Sequence, residues 1–200
     1  MFIPHQLKHI QKAIITLLLF ASSYLINSQT SIKGNALTAL IGVPNFGAEF
    51  NLSKKTTFQI DAAASFWTID GIPYKFALVF PEFRYYPKES GRGFFVGAHI
   101  GGGKYKLQKW NHTNDYQDGY SVFYGLTTGY QFWLSDRLNL EVFLGGGSQQ
   151  GYYKGYSLET GERTDIGAKK YNKSGELIPY RGGLMLVYKL NSKTKNKGIN

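Results

Sequence analysis

The chain has no cysteine, only six prolines and little charge: Asp, Glu, Lys and Arg together make up 18% of its 200 residues, against roughly 25% in an ordinary soluble domain. The missing thiol excludes a disulfide scaffold, a thiolate metal site and an acylated lipoprotein cysteine. Beyond the first thirty residues no apolar run approaches the roughly 20 residues of a bilayer helix; stretches such as Leu37–Val43 are far shorter. What is abundant is Tyr (15), Phe (14) and Gly (24). Aromatics at 16% exclude a disordered chain, which is poor in them. A Tyr-, Phe- and Gly-rich, cysteine-free chain suits an all-β protein.

The N-terminus reads as an address. Met1 to Lys12 carries Lys8 and Lys12 and no acid, Ala13 to Ile26 is apolar apart from Thr16, Ser22, Ser23 and Tyr24, and Asn27-Ser28-Gln29 follows. A basic start, a short apolar run and a small residue before a polar one is the layout of a secretory signal peptide. Residues 1–28 are therefore expected to be a signal peptide, cut after Ser28; the alternative is an uncleaved anchor helix. Their removal takes away two lysines and no acid, leaving 21 basic and 13 acidic residues, net +8. The exported remainder divides into residues 29–190 and a basic tail at 191–200 carrying Lys193, Lys195 and Lys197.

From residue 33 onward apolar and polar positions alternate, the period-two signal of strands. Eight segments are expected to be strands: Lys33–Ile41, Asn45–Leu52, Thr56–Trp67, Tyr74–Tyr86, Gly93–Leu107, Gly119–Leu134, Arg137–Tyr152 and Ile178–Leu190. The breaks carry turn residues, among them Val43-Pro44, Asp70-Gly71 and Ser135-Asp136. The charged stretch Lys154–Leu177 reads as a loop.

Alternation does not say which face is the inside. Three features point to an apolar outside, as in an outer-membrane barrel. First, the apolar sets are long: Tyr120, Val122, Tyr124, Leu126, Thr128, Tyr130, Phe132 and Leu134 share one face, and Leu184, Leu186, Tyr188 and Leu190 another. Second, the opposite face is small and polar, as the crowded inside of an eight-stranded barrel requires. It carries Glu49, Asp61, Glu82, Arg84, His99, Glu141, Arg181 and Lys189. With His neutral, that is four acids against three bases, the near-balance a desolvated interior needs. Third, Trp67, Tyr74, Tyr85, Tyr86, Tyr105, Trp110, Tyr152, Tyr153 and Tyr180 lie toward strand ends, where aromatic girdles meet lipid headgroups. Connections on the side of the two chain ends are expected to be short, at Ser53–Lys55, Pro87–Arg92 and Ser135–Asp136. On the other side they are expected to be longer, at Thr68–Pro73, Gln108–Asp118 and Tyr153–Leu177. The closing residues Arg181-Gly182-Gly183-Leu184-Met185-Leu186-Val187-Tyr188 fit the loose pattern of a last barrel strand.

The runs Gly34-Asn35-Ala36-Leu37, Pro44-Asn45-Phe46-Gly47-Ala48-Glu49-Phe50, Pro81-Glu82-Phe83-Arg84-Tyr85-Tyr86 and Phe94-Phe95-Val96-Gly97-Ala98-His99 resemble an uncharacterised family of small bacterial outer-membrane β-barrel proteins, known only as a domain of unknown function. The resemblance covers roughly residues 31–190, and the Pro-Glu-x-Arg-Tyr-aromatic element is its most specific part. It implies an eight-stranded antiparallel up-and-down transmembrane barrel like the membrane domain of the OmpA and OmpX type, and no catalytic residues.

Residue chemistry points away from catalysis. Of the four histidines, His5 and His9 leave with the signal, and His99 and His112 lie on different elements without a cysteine, so no metal site is expected. Neither His99-Ile100-Gly101 nor His112-Thr113-Asn114 supplies the serine two residues away that lipid A deacylases use. Glu82 and Arg84 share a face and are expected to pair with each other or across to Glu49, Asp61, Glu141 or Arg181 as a structural plug. Gly101–Gly103 and Gly145–Gly147 precede no helix and so are not phosphate loops; they mark bends or places where large neighbours pack over bare backbone. Export removes nucleic acid as a partner for the net positive charge. The expectation is an outer-membrane barrel of a Gram-negative bacterium, without cofactor. Its interior network comprises Glu49, Asp61, Glu82, Arg84, His99, Glu141 and Arg181. Its role is structural or surface interaction, with lipopolysaccharide around it and an outside partner at the loop 153–177, and a monomer is favoured. The alternatives are a lipid A-modifying barrel enzyme, a narrow channel, or a barrel that binds an apolar ligand.

Overall fold

Side chains that are branched or aromatic at every second position favour the pleated, half-buried surface of a sheet. In the computed structural model, which describes residues 29–108, 114–165 and 171–190, nearly all of them are in strands. The elements are β1 (Thr30–Asn35), α1 (Ala36–Leu40), β2 (Asn45–Asn51), β3 (Thr56–Ile69), β4 (Ile72–Tyr85), β5 (Gly93–Leu107), β6 (Asp115–Trp133), β7 (Leu138–Ser157) and β8 (Asn172–Lys189). Each strand pairs antiparallel with its neighbour in sequence, and β1 pairs with β8, so eight strands form a closed up-and-down ring. The expected signal peptide and the tail 191–200 lie outside the described residues, as do Trp110 and His112.

The ring is staggered. One row of paired residues runs from Gly34 through Phe46, Ala62, Val79, Gly102, Val122 and Gln150 to Gly175. Yet β1 itself pairs Gly34 with Leu186. A circuit therefore returns eleven residues along β8, at residue 186 instead of 175. One of these is Tyr180, the extra residue of a bulge between Gly145↔Arg181 and Gly146↔Pro179. Such a stagger tilts the strands by roughly 35–45° to the ring axis.

Three expectations need correction. The first strand ends at Asn35, and residues 36–40 form a short helix instead of continuing to Ile41. Asn35 Oδ1 accepts the backbone N–H groups of Leu37 (3.2 Å) and Thr38 (3.5 Å), an N-cap that turns the chain. Ala and Leu, good helix formers, continue it, and α1 packs beside β8 where β1 stops. The stretch 153–177 is strand at both its ends: β7 runs to Ser157 and β8 begins at Asn172. Tyr120 stacked on Tyr152 and Tyr116 on Tyr156 hold the extended end of β7 against β6 despite its charges and glycines. The connection expected at Thr68–Pro73 is a two-residue turn, with Ile69 paired to Ile72 and Asp70 and Gly71 both at positive φ (50° and 80°), the geometry of a tight hairpin.

The faces divide as the alternation requires. Leu126, Leu144, Leu186 and Tyr188 point outward and are exposed, whereas Glu82, Arg84 and Glu141 are buried inside. The inner end nearest the chain termini is filled by Tyr86, Phe95, Phe143, Met185 and Val187. Bare backbone makes room for this filling. A Cβ at Gly97 would collide with the Glu82 carboxylate, and one at Gly101 with the Phe80 ring.

Candidate functional site

The β-bulge at Tyr180 matters most for the interior. Strict alternation would put Tyr180 and Arg181 on opposite faces. The unpaired extra residue lets both enter the ring, where Arg181 reaches Asp61 and Glu82, and Tyr180 reaches His99. From there a chain of ion pairs crosses the interior. Arg181 Nη2 lies 2.5 Å from Asp61 Oδ1 and Arg181 Nη1 lies 2.6 Å from Glu82 Oε2. The other Glu82 oxygen accepts from Arg84 Nε at 2.7 Å. Arg84 Nη1 donates to both oxygens of Glu141 at 2.9 Å. Lys33 Nζ closes the series, 2.6 Å from Glu141 and 2.5 Å from Glu49.

Neutral partners add hydrogen bonds to the carboxylates, while Arg84 Nη2 and Arg181 Nε stay buried without a partner among the described residues. Thr57 and Tyr86 donate hydroxyls to Glu49 Oε1 at 2.5 and 2.9 Å. Gln131 donates to Glu141 at 2.7 Å and Gln59 to Asp61 at 3.0 Å. Arg84 also lies flat over the Phe95 ring, 4.3 Å from its centroid, and Arg181 over Phe80 at 4.9 Å. Above this network sits an aromatic layer in which Phe80, Phe123 and Tyr180 pack together around His99. His99 is hydrogen-bonded on both ring nitrogens, to Thr127 Oγ1 at 2.9 Å and to Tyr180 Oη at 2.6 Å. Beyond it, on the side away from the termini, a cup of about 420 Å³ is lined by Phe76, Leu78, Tyr105, Phe123, Gln149 and Tyr180.

All seven residues singled out for the interior, Glu49, Asp61, Glu82, Arg84, His99, Glu141 and Arg181, face inward. The first three acids, Glu141 and both arginines form one network, and His99 joins it through Thr127. The expected third base, Lys189, sits half-buried at the terminal edge of β8, paired with Ser31. Lys33 takes that place, with 1% of its surface exposed. Its signal was there to read: Ile32 points outward, so parity along β1 sends Lys33 inward. Tyr86, Tyr105 and Tyr180 point into the ring, and register puts Trp67, Tyr74 and Tyr153 on the same inner face, so these six leave the proposed aromatic girdles. For Tyr86 and Tyr105 parity decides this, and for Tyr180 the bulge does.

The outward face is equally partitioned. Its charged strand positions are Lys75, Lys104, Lys106, Asp118, Lys154 and Lys173, all on the rim opposite the termini. Lys106 lies 4.4 Å over the Tyr116 ring, Lys154 5.3 Å over Tyr171 and Lys173 5.7 Å over Tyr152. From Val122 to Phe132 on β6 the outward positions hold no charge. At roughly 3.4 Å per residue these ten steps span ~34 Å along the strand, or about 25 Å of height at that tilt, the height of a lipid-facing band. At the tip of the β7–β8 connection Arg163 pairs with Asp165, and Asn172 donates to Asp165 Oδ2 at 2.6 Å. The Arg163 hydrogen bond holds the Asp165 carboxyl below its ordinary range. Among the described residues no group of three His, Cys, Asp or Glu is placed to hold a metal ion, and no helix is long and apolar enough to cross a membrane.

Comparison with protein families matches residues 13–190 to the family described as "Protein of unknown function (DUF3575)". No curated protein and no solved structure matches the chain.

Proposed function

We propose, for a chain that belongs to the DUF3575 family of proteins of unknown function, that it is an outer-membrane β-barrel with a plugged polar interior. In this reading residues 1–28 direct export and are removed, both ends of the barrel lie in the periplasm, and the protein resides in the outer membrane of a Gram-negative bacterium. Its role is structural or one of surface interaction, and it needs no catalytic residue or cofactor.

One observation carries the reading. Every charged strand position below the lysine rim is turned toward the ring interior or its cup, and Lys33, Glu49, Asp61, Glu82, Arg84, Glu141 and Arg181 are ion-paired there, while the face that would meet solvent in a soluble protein exposes Phe46, Phe83, Ile100, Leu126 and Leu144. In water this inversion would waste apolar burial and bury charge at a cost. In lipid the apolar outside is the favourable one and the closed ring leaves few backbone groups unsatisfied. The ion-pair chain then acts as a plug, since an eight-stranded barrel is just wide enough for its side chains to fill. In this reading His99, hydrogen-bonded to Thr127 and Tyr180 inside the ring, packs the interior.

Membrane fractionation and protease treatment of intact cells test the reading. The protein is expected in the detergent-extracted outer-membrane fraction, migrating differently in gels before and after boiling, with cleavage of intact cells confined to residues 158–171. Release into the soluble periplasmic fraction without detergent would overturn it. Lipid A from a deletion strain is expected to be chemically unchanged; an altered acylation pattern would point to the enzyme instead.

A further inference from the structure

We infer that the outer wall across β3, β4 and β5 carries a binding site for a phosphorylated glycolipid of the outer leaflet, phosphate on Lys75, Lys104 and Lys106 and one acyl chain in the groove below. The inference rests on the membrane reading and adds a ligand and its residues to it.

Lys75 on β4 stands directly opposite Lys106 on β5, and Lys104 stands opposite Ala77 one step down. All three point outward. Like charges facing each other across a sheet destabilise it, so folding alone gives no reason for this trio. Among the described residues no ion pair holds Lys75 or Lys104, and the one acid beside them is Asp118, paired in register with Lys106 and Lys154. The three lysines line a hollow of about 230 Å³ that also touches Phe66, Ala77 and Asp118. An anion there would offset the mutual repulsion and gain charge-assisted hydrogen bonds from each lysine.

The hollow is not isolated. Ala77 and Lys104 also line a second, larger groove of about 550 Å³, whose other walls include Phe46, Ala62, Ala64, Val79 and Gly102. Small residues on three adjacent strands leave this trench in the wall, and it descends from the lysines into the uncharged band. A cationic mouth over an apolar trench fits a molecule with a phosphate at its head and hydrocarbon below. The lysine stems lie along apolar wall while their heads stay at the headgroup level. Because the rim faces away from the periplasmic ends, the lipid it meets is that of the outer leaflet, the phosphorylated glycolipid.

The test uses the full chain, folded in detergent and analysed by native mass spectrometry with bisphosphorylated lipid A, its monophosphorylated form or phosphatidylglycerol. The wild-type protein is expected to retain bisphosphorylated lipid A at least tenfold better than the Lys75→Gln/Lys104→Gln/Lys106→Gln variant, and better than phosphatidylglycerol. A groove-filling variant, Ala64→Phe/Ala77→Phe, keeps every lysine and is expected to lose retention to a similar degree. Equal retention by wild type and the lysine variant overturns the site. Equal retention of phosphatidylglycerol overturns the glycolipid as its ligand, and undiminished retention by the groove variant overturns the acyl trench. Each variant is first checked for insertion into lipid vesicles. A wild-type chain that does not insert overturns the membrane reading and this inference together, whereas insertion without lysine-dependent retention overturns this inference alone.

Discussion

Leu126→Arg separates lipid from water as the solvent of the outer wall. Leu126 sits on β6 midway between Val122 and Phe132 and is 69% exposed. Its cross-strand neighbours are Ala98 and Gly146, which are too small to shield a guanidinium and carry no counter-charge. In a membrane barrel an arginine at mid-height costs about 2–4 kcal/mol, falling to about 0–1 kcal/mol near the interface. On a water-facing wall the same change would lie within about 0.5 kcal/mol of neutral. The matched control is Leu134→Arg, the same substitution at an outward position, 50% exposed, just past the end of β6 at the edge of the ring nearest the termini. Urea unfolding of the refolded full chain from lipid vesicles, followed by tryptophan fluorescence, gives both numbers. The expected result is a loss of about 2–4 kcal/mol for Leu126→Arg and at most about 1 kcal/mol for Leu134→Arg. Two losses of equal, small size would refute the argument that this face meets hydrocarbon.

Other outcomes follow from the interior. Arg84→Met removes the cation that contacts Glu82 and both oxygens of Glu141 and is expected to cost about 3–5 kcal/mol, as breaking a buried pair does; adding Glu141→Gln should recover part of it in a double-mutant cycle, and additivity would show that the two do not interact. Gly101→Ala drives a methyl into the Phe80 ring and is expected to lower stability by about 1–3 kcal/mol, read by the same unfolding assay. Because Lys33, Arg84 and Glu141 are almost wholly buried, the wild-type protein is expected to show no steady ion conductance in planar bilayers, and a stable open level would disprove the plug.

Much of this molecule is written in its period-two pattern. The alternation along each strand placed faces and the inward set Glu49, Asp61, Glu82, Arg84, His99, Glu141 and Arg181, because a strand's side chains have no choice but to alternate. The Asp70-Gly71 turn was equally local, since few residues accept positive φ. Where alternation gave way to other local chemistry, the reading failed. Asn35 caps a helix inside what looked like a strand, and Tyr–Tyr stacks with β6 extend β7 into what looked like a loop.

What no local pattern could supply is which groups meet across the ring. The Lys33–Glu141 pair joins residues 108 apart, and Arg181–Asp61 residues 120 apart. Their meeting depends on the eleven-residue stagger of the closed ring and on a single bulge that turns Tyr180 and Arg181 to the same side. Stagger and bulge are properties of the whole pairing pattern, set only when β8 finds β1. The same holds for the lysine rim: each lysine is an ordinary outward residue on its own strand, and only register brings Lys75 face to face with Lys106.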